Sequence, residues 1–229
     1  MSKRTKVLTG LAIGAVVLVI VVLVGSRLYG NWVNSNAEAA PTLGGSSETA
    51  QASSSDQDGP GEVDGEYTVG PGSYAGYRVD EVLNGQDVTV TGRTEDVSGS
   101  VTIADGTLTA GTIEVDLTTV ATPESQRDAY FRSEALETDE FPTATFELTE
   151  PVAVALDGGD VALVGDLTIH GVTQAVTITA QAGTNGDALQ VVGSVPITFA
   201  DYDVQAPDLG FVVVEEEGAI EFSLELAAG

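Results

Sequence analysis

The sequence has no cysteine, one histidine and one methionine in 229 residues. Without cysteine there is no disulfide framework, no thiolate metal site and no thiol nucleophile. One histidine cannot build a multi-histidine centre, and no Asp/Asn-rich run has the spacing of a calcium loop. No G-x-S-x-G elbow occurs, so nothing indicates a Ser-His-Asp arrangement. A carboxylate pair of the glycosidase kind is the one catalytic constellation that composition leaves open. The chain calls for no cofactor and no metal, and it reads as a non-enzyme.

Positive charge is also scarce. Lys3, Arg4, Lys6 and Arg27 precede residue 30, where no acid occurs. Beyond it stand 35 acids against four arginines (Arg78, Arg93, Arg127 and Arg132), a net of −31. Such a surface repels nucleic acid and anionic headgroups and keeps a domain soluble. A nucleic-acid partner is therefore not expected.

The one long apolar run, Val7 to Val24 (VLTGLAIGAVVLVIVVLV), holds 18 residues without a charge. As a helix it would cover roughly 27 Å, close to a hydrocarbon core. Tyr29 and Trp32 follow at the place of an interfacial belt, and the basic residues before the run set the N-terminus in the cytoplasm. A cleaved signal peptide would have a shorter run followed closely by a small-residue site. Here the nearest A-x-A pattern, Ala37-Glu38-Ala39, comes more than ten residues later. The expectation is a cytoplasmic N-terminus (1–6), a transmembrane anchor (7–29) and an extracytoplasmic remainder at the cell membrane.

Residues 30–65 are rich in Ser, Gly, Ala, Pro and acids, with few large apolar side chains. That composition predicts a flexible linker. From residue 66 to 229 the pattern becomes period-2 alternation, the signal of half-buried strands. Ile113, Val115 and Leu117 alternate with polar residues, as do Phe146 and Leu148, then Leu167 and Ile169, then Phe222 and Leu224. Further strands fit 72–83, 87–93, 99–103, 175–182 and 189–199. Asn84-Gly85, Asp105-Gly106, Asp157-Gly158-Gly159 and Asn185-Gly186 supply hairpin chemistry. Pro123 to Glu137 lacks β-branched residues and reads as a short helix opened by proline.

The expected fold is all-β, with about eight antiparallel strands and one helical insert. A barrel and a sandwich both satisfy the alternation, and a barrel of this size either fills its interior or holds one small ligand. His170 lies in the link between strands, expected over 170–174, and reads as a turn residue. If Tyr77, Val79 and Glu81 face inward, Glu81 is an acid in an apolar interior and needs a partner, with Arg78 on the outer face. A surface arginine paired with surface acids, or a bulge that re-aims one residue, satisfies the pattern equally.

Four stretches carry a resemblance: GRTEDVSGSVTI, TIEVDLTTV, QRDAYFRSEALETDEFPTATFELTEPV and VGDLTIHGVTQAVTITA. Together they resemble the YceI-like family, over about Glu66 to Leu226. The most specific blocks are Gly165 to Thr173 and Phe141 to Phe146; Arg127-Asp128 and Arg132-Ser133 match the helical insert. Tyr130 stands where the family often has histidine, and Gln174-Ala175 replace its Lys-Pro. The resemblance implies a lipocalin-like β-barrel outside the cytoplasm that binds a polyisoprenoid lipid, such as a quinone or polyprenyl phosphate. The expected lumen set is Tyr77, Ile113, Val115, Leu117, Phe131, Phe146, Leu148, Leu167, Ile169, Phe199, Phe222 and Leu224. Arg127 and Arg132, five residues apart on the insert, are candidate head-group contacts. Expected partners are the isoprenoid or quinone and, through the N-terminal helix, the membrane. The alternative is a cell-envelope interaction or stress-related domain with a filled barrel. Nothing in the sequence fixes an oligomeric state.

Overall fold

Period-2 alternation closes into a ring. The computed structural model describes residues 24–44, 63–185 and 188–229. Its strands are β1 (Gly65–Val69), β2 (Tyr74–Leu83), β3 (Gln86–Thr94), β4 (Val97–Ala104), β5 (Thr107–Asp116) and β6 (Thr143–Leu148), then β7 (Val152–Ala153), β8 (Asp160–Ile169), β9 (Val172–Asn185), β10 (Ala188–Thr198) and β11 (Val212–Ala228). Every pairing is antiparallel, and one sheet runs β1-β4-β5-β6-β8-β9-β10-β11 with β11 pairing back to β1. The consecutive strands β1 and β2 both lie along β11, so they form one bent strand, and β3 and β4 likewise pair with its two halves. With β7 continuing β6 along β5, the topology is an eight-stranded meander barrel. Closure removes most of the edge that an open sheet would expose; the exception is β3, which pairs with β2 alone and keeps its other side open.

The register defines two ends. The upper end carries the Asn84-Gly85 turn, the insert between β5 and β6, and the β8–β9 turn; the lower end carries the Asp105-Gly106 turn and the link between β7 and β8. The lumen face of β11 is Ile220, Phe222, Leu224 and Leu226, with Glu221, Ser223 and Glu225 outside. Two glycines let aromatic rings lie on the wall. A Cβ at Gly165 would sit 2.5 Å from the Phe146 ring, and one at Gly193 would sit 2.5 Å from the Phe222 ring.

The insert is shorter and less regular than a single helix over 123–137. It opens with a 3-10 turn (Leu117–Thr119), follows with the helix Ser125–Tyr130 and ends in a π-turn over Phe131–Ala135. Asp128 anchors it. Its Oδ1 accepts the Thr122 N–H at 2.9 Å and the Thr122 hydroxyl at 2.8 Å, which is why this carboxylate is buried.

The first 15 residues of the expected linker, 30–44, are not a free tether here. Residues 24–36 form a helix (α1; the insert helix is α2), and its Val33 packs among Val79, Leu83, Val88 and Val90. The helix ends where Ser35 and Asn36 donate side-chain bonds to the Trp32 carbonyl at 2.9 and 2.7 Å. Asn34 then completes the outer edge of β3: it donates to Asp87 O at 3.3 Å and accepts the Thr89 amide at 2.8 Å. The chain crosses to the outer wall, where Glu38 N bonds Thr91 at 2.9 Å and Gly44 N bonds Gln190 at 2.7 Å. Polar composition predicts flexibility only where no surface offers backbone groups to bond, and the β3 edge offers them. No helix among the described residues is long and apolar enough to cross a membrane. Residues 7–23 of the expected anchor lie outside them.

Candidate functional site

The barrel encloses a cavity of about 150 Å³. It lies in the middle and lower lumen, walled by Ile113, Val115, Phe146, Leu148, Leu167, Phe222 and Leu224 from the expected set. Thr145 is the one lining residue with a polar side chain. Val154 and Leu156 line it toward the lower end; period-2 reasoning missed both because they sit in an irregular segment beside β7. Val161, Leu163 and Val191 also line the space, and alternation within their strands was the signal for them. One polar side chain is fewer than the about two to four partners that a buried water needs, so the lining favours apolar contents.

The other members of the expected set sit elsewhere. Tyr77 and Phe131 stack with ring centroids 5.3 Å apart, and with Leu117, Leu136 and Ile169 they belong to the cluster that plugs the upper end. The insert thus caps the barrel, and Phe131 points into the cap rather than the cavity. Phe199 is outside the cavity wall and packs beside the Val79–Val88 cluster, its ring against Gly218. It ends β10 at a 3-10 turn, so strand alternation no longer sets its direction.

Charge is organised in two places, on opposite faces of β2. Glu81 faces inward and is buried, and Arg127 of α2 donates to its Oε1 at 2.6 Å. Burial pushes the Glu81 carboxyl above the usual glutamate range, and Arg127 pulls it partly back. Burial also pushes the Tyr77 phenol up. Arg78 faces outward, where its Nε donates to Glu221 at 2.6 Å and its Nη2 to the Glu38 carbonyl at 2.6 Å. Arg93 joins that outer group, 3.8 Å from Glu221 and stacked over Tyr74 at 4.4 Å. Arg132 donates to the Val120 carbonyl at 3.5 Å.

His170 is a turn residue with three partners. The turn is two residues, not the expected five: Ile169 pairs with Val172, and His170 and Gly171 take φ of 51° and 73°. Both positive angles match the primed turn that suits strand twist. The ring bonds the Tyr202 carbonyl at 3.2 Å and Glu137 at 3.1 Å, and meets the Phe141 ring edge-on at 4.8 Å. It ties the end of the insert to the segment after β10.

The chain is thus a closed eight-stranded barrel with a capped upper end and an apolar lumen. The family model described as the YceI-like domain matches residues 67–226. The chain belongs to the YceI-like family. It is 33% identical over 136 residues to a UPF0312 protein of Pseudomonas aeruginosa, covering 53% of this chain and 69% of that one. Protein YceI of Escherichia coli is 32% identical over 136 residues, with the same coverage. Among solved structures, a polyisoprenoid binding domain from Saccharophagus degradans implicated in plant cell wall breakdown superposes with a TM-score of 0.56 at 22% identity, covering 72% of this chain and 99% of that one. BcnA of Burkholderia cenocepacia gives a TM-score of 0.53 at 22% identity, covering 66% of this chain and 96% of that one. These two likenesses show a shared fold.

Proposed function

We propose that this YceI-like chain is a binding protein that holds a long isoprenoid lipid, such as a quinone or polyprenyl phosphate, in its barrel lumen and performs no chemistry on it. The observation that carries this reading is the cavity: about 150 Å³ in the interior of a closed barrel, walled by hydrocarbon with a single polar side chain. Each buried CH₂ contributes about 0.8 kcal/mol, so a guest gains in proportion to the chain it threads inside. The polyisoprenoid binding domain from Saccharophagus degradans has the same fold, which supports the choice of lipid.

The protein is membrane-anchored, with the barrel outside the cytoplasm. The uncharged run Val7 to Val24 and the basic residues Lys3, Arg4 and Lys6 support this topology. So does exposed apolar surface at the upper end: Leu28 and Trp32 on α1, next in sequence to the apolar run, and Leu209 and Phe211 beside the Asn84 turn. In sequence, residues 45–62 join the docked segment to the barrel; they carry four acids and no large apolar side chain.

A second reading rests on cavity size. Ligand sites commonly span about 300–1,000 Å³, so a long chain enters only if the lumen widens. A barrel this full in its resting state also fits a cell-envelope interaction or stress-related domain without a lipid. Organic extraction of the purified chain followed by mass spectrometry separates the two. A stoichiometric isoprenoid is the expected result; an empty extract together with failure to take up quinones in vitro overturns the lipid reading.

A further inference from the structure

Five arginines and no lysine fall among the described residues. None of them lines the cavity. Arg78 and Arg93 are on the outer wall, engaged with Glu221 and the segment 38–39. Arg127 is held on Glu81, and Arg132 on the Val120 carbonyl within the cap. Arg27 is on α1, whose Val33 packs against Val79, Leu83, Val88 and Val90 at the upper end, and it is not among the residues that line the cavity.

Among the described residues the lower end carries Asp64, Asp105, Asp157 and Asp160. Asp64 accepts the amides of Asp105 and Gly106 at 2.8 and 2.9 Å, and Asp157 accepts that of Gly159 at 2.9 Å. Asp160 begins β8 beside them. The amides of the Asp105-Gly106 turn and of Gly159 are thus already bonded to carboxylates of the chain.

An ionised phosphate taken from water needs cations or several donors in return. Along the cavity it meets hydrocarbon, and at the lower end it meets like charge. At the upper end the plug around Tyr77 and Phe131 stands between the cavity and the insert that carries Arg132, and Arg127 is reached only by displacing Glu81, whose side chain is 2% exposed. That exchange leaves a buried carboxylate without its cation next to a second anion, the costliest arrangement of the three.

We infer that the lumen selects isoprenoids with an uncharged head, a polyprenol or a quinone, and rejects the phosphorylated forms. The inference rests on the isoprenoid reading and sharpens it. Its test is a pair of lipids with one tail. Undecaprenol and undecaprenyl phosphate are added in equal amounts to the full chain in a mild detergent, and complexes are counted by native mass spectrometry. A shared tail means that any cost of widening the lumen cancels between the two. The expected result is a complex with the alcohol at least about tenfold more abundant than with the phosphate. The preference should vanish, with loss of the alcohol complex, in Ala182→Phe or Ala144→Phe, each of which places a ring in the cavity; circular dichroism identifies the variant that keeps its fold. A phosphate complex equal to or exceeding that of the alcohol overturns the charge selection and leaves the isoprenoid reading standing. Absence of both complexes, or an alcohol complex that survives in a folded filled variant, overturns lumen binding and this inference with it.

Discussion

Arg127 Nη2 lies 2.6 Å from Glu81 Oε1, a contact that joins the insert to the inward face of β2 under the cap of the barrel. Glu81 is 3% exposed, so its charge has no recourse to water. The pair is a seam between two parts of the chain 46 residues apart.

Removing one partner should therefore be far worse than removing both. Arg127→Ala leaves a buried carboxylate alone and should cost roughly 3 kcal/mol, whereas Glu81→Leu combined with Arg127→Leu should lie within about 1 kcal/mol of wild type. Urea unfolding of the two variants checks this; equal destabilisation would show that the seam is held by packing instead.

The same pair predicts a pH dependence with a definite sign. Burial raises the Glu81 carboxyl in the folded state. The folded chain then holds this proton more tightly than the unfolded chain, so the stability from Glu81 is fully present below about pH 4 and is lost as pH rises through the elevated value. Wild type should lose stability relative to Glu81→Gln as pH is raised from about 4 to 7. A difference between the two proteins that stays flat across this window would contradict the assignment.

Ala182 is 3% exposed and lines the cavity. Ala182→Phe should fill part of the void at a cost of no more than about 3 kcal/mol while reducing lipid uptake at least about tenfold. Uptake of a fluorescent quinone analogue, set beside thermal unfolding, reads both effects.

His170 combines a left-handed backbone with three ring contacts. His170→Asn keeps a residue that tolerates that backbone and loses the contacts, so it should cost about 1 kcal/mol. His170→Ala should cost more, because alanine also strains the turn. Neither should alter lipid affinity; a large loss in the asparagine variant would place the ring in ligand binding.

Asn34 satisfies backbone groups of Asp87 and Thr89 on the edge of β3. Asn34→Ala should speed amide exchange at Thr89 while leaving β9 and β10 protected. Unchanged exchange at Thr89 would mean that the segment 24–44 does not stay docked in solution.

The barrel was legible because its cause is local. Ile220, Phe222, Leu224 and Leu226 alternate with polar residues, and pleating alone sends them to one face. Turn chemistry worked where two residues suffice, at Asn84-Gly85 and Asp105-Gly106, both of which take positive φ. It placed His170 in a turn but overstated the length, since Val172 to Gln174 alternate too weakly to announce a strand. Inwardness was likewise readable, but depth was not. Ile113 and Ile169 show the same alternation, yet one lines the cavity and the other belongs to the plug.

Composition and order along the chain thus settled the all-β class, the absence of cysteine chemistry, the acidic surface and the apolar face of each strand. These depend on residue type and on neighbours one or two positions away. Folding settled what stands opposite what. It brought Arg127 onto Glu81 and Arg78 onto Glu221, 143 residues apart, and so removed each arginine from the pool of free cations. It laid residues 34–44 along the barrel because the β3 edge left amides and carbonyls to be paired. Long-range partners of this kind depend on closure of the ring, and closure leaves no periodic trace in the order of residues.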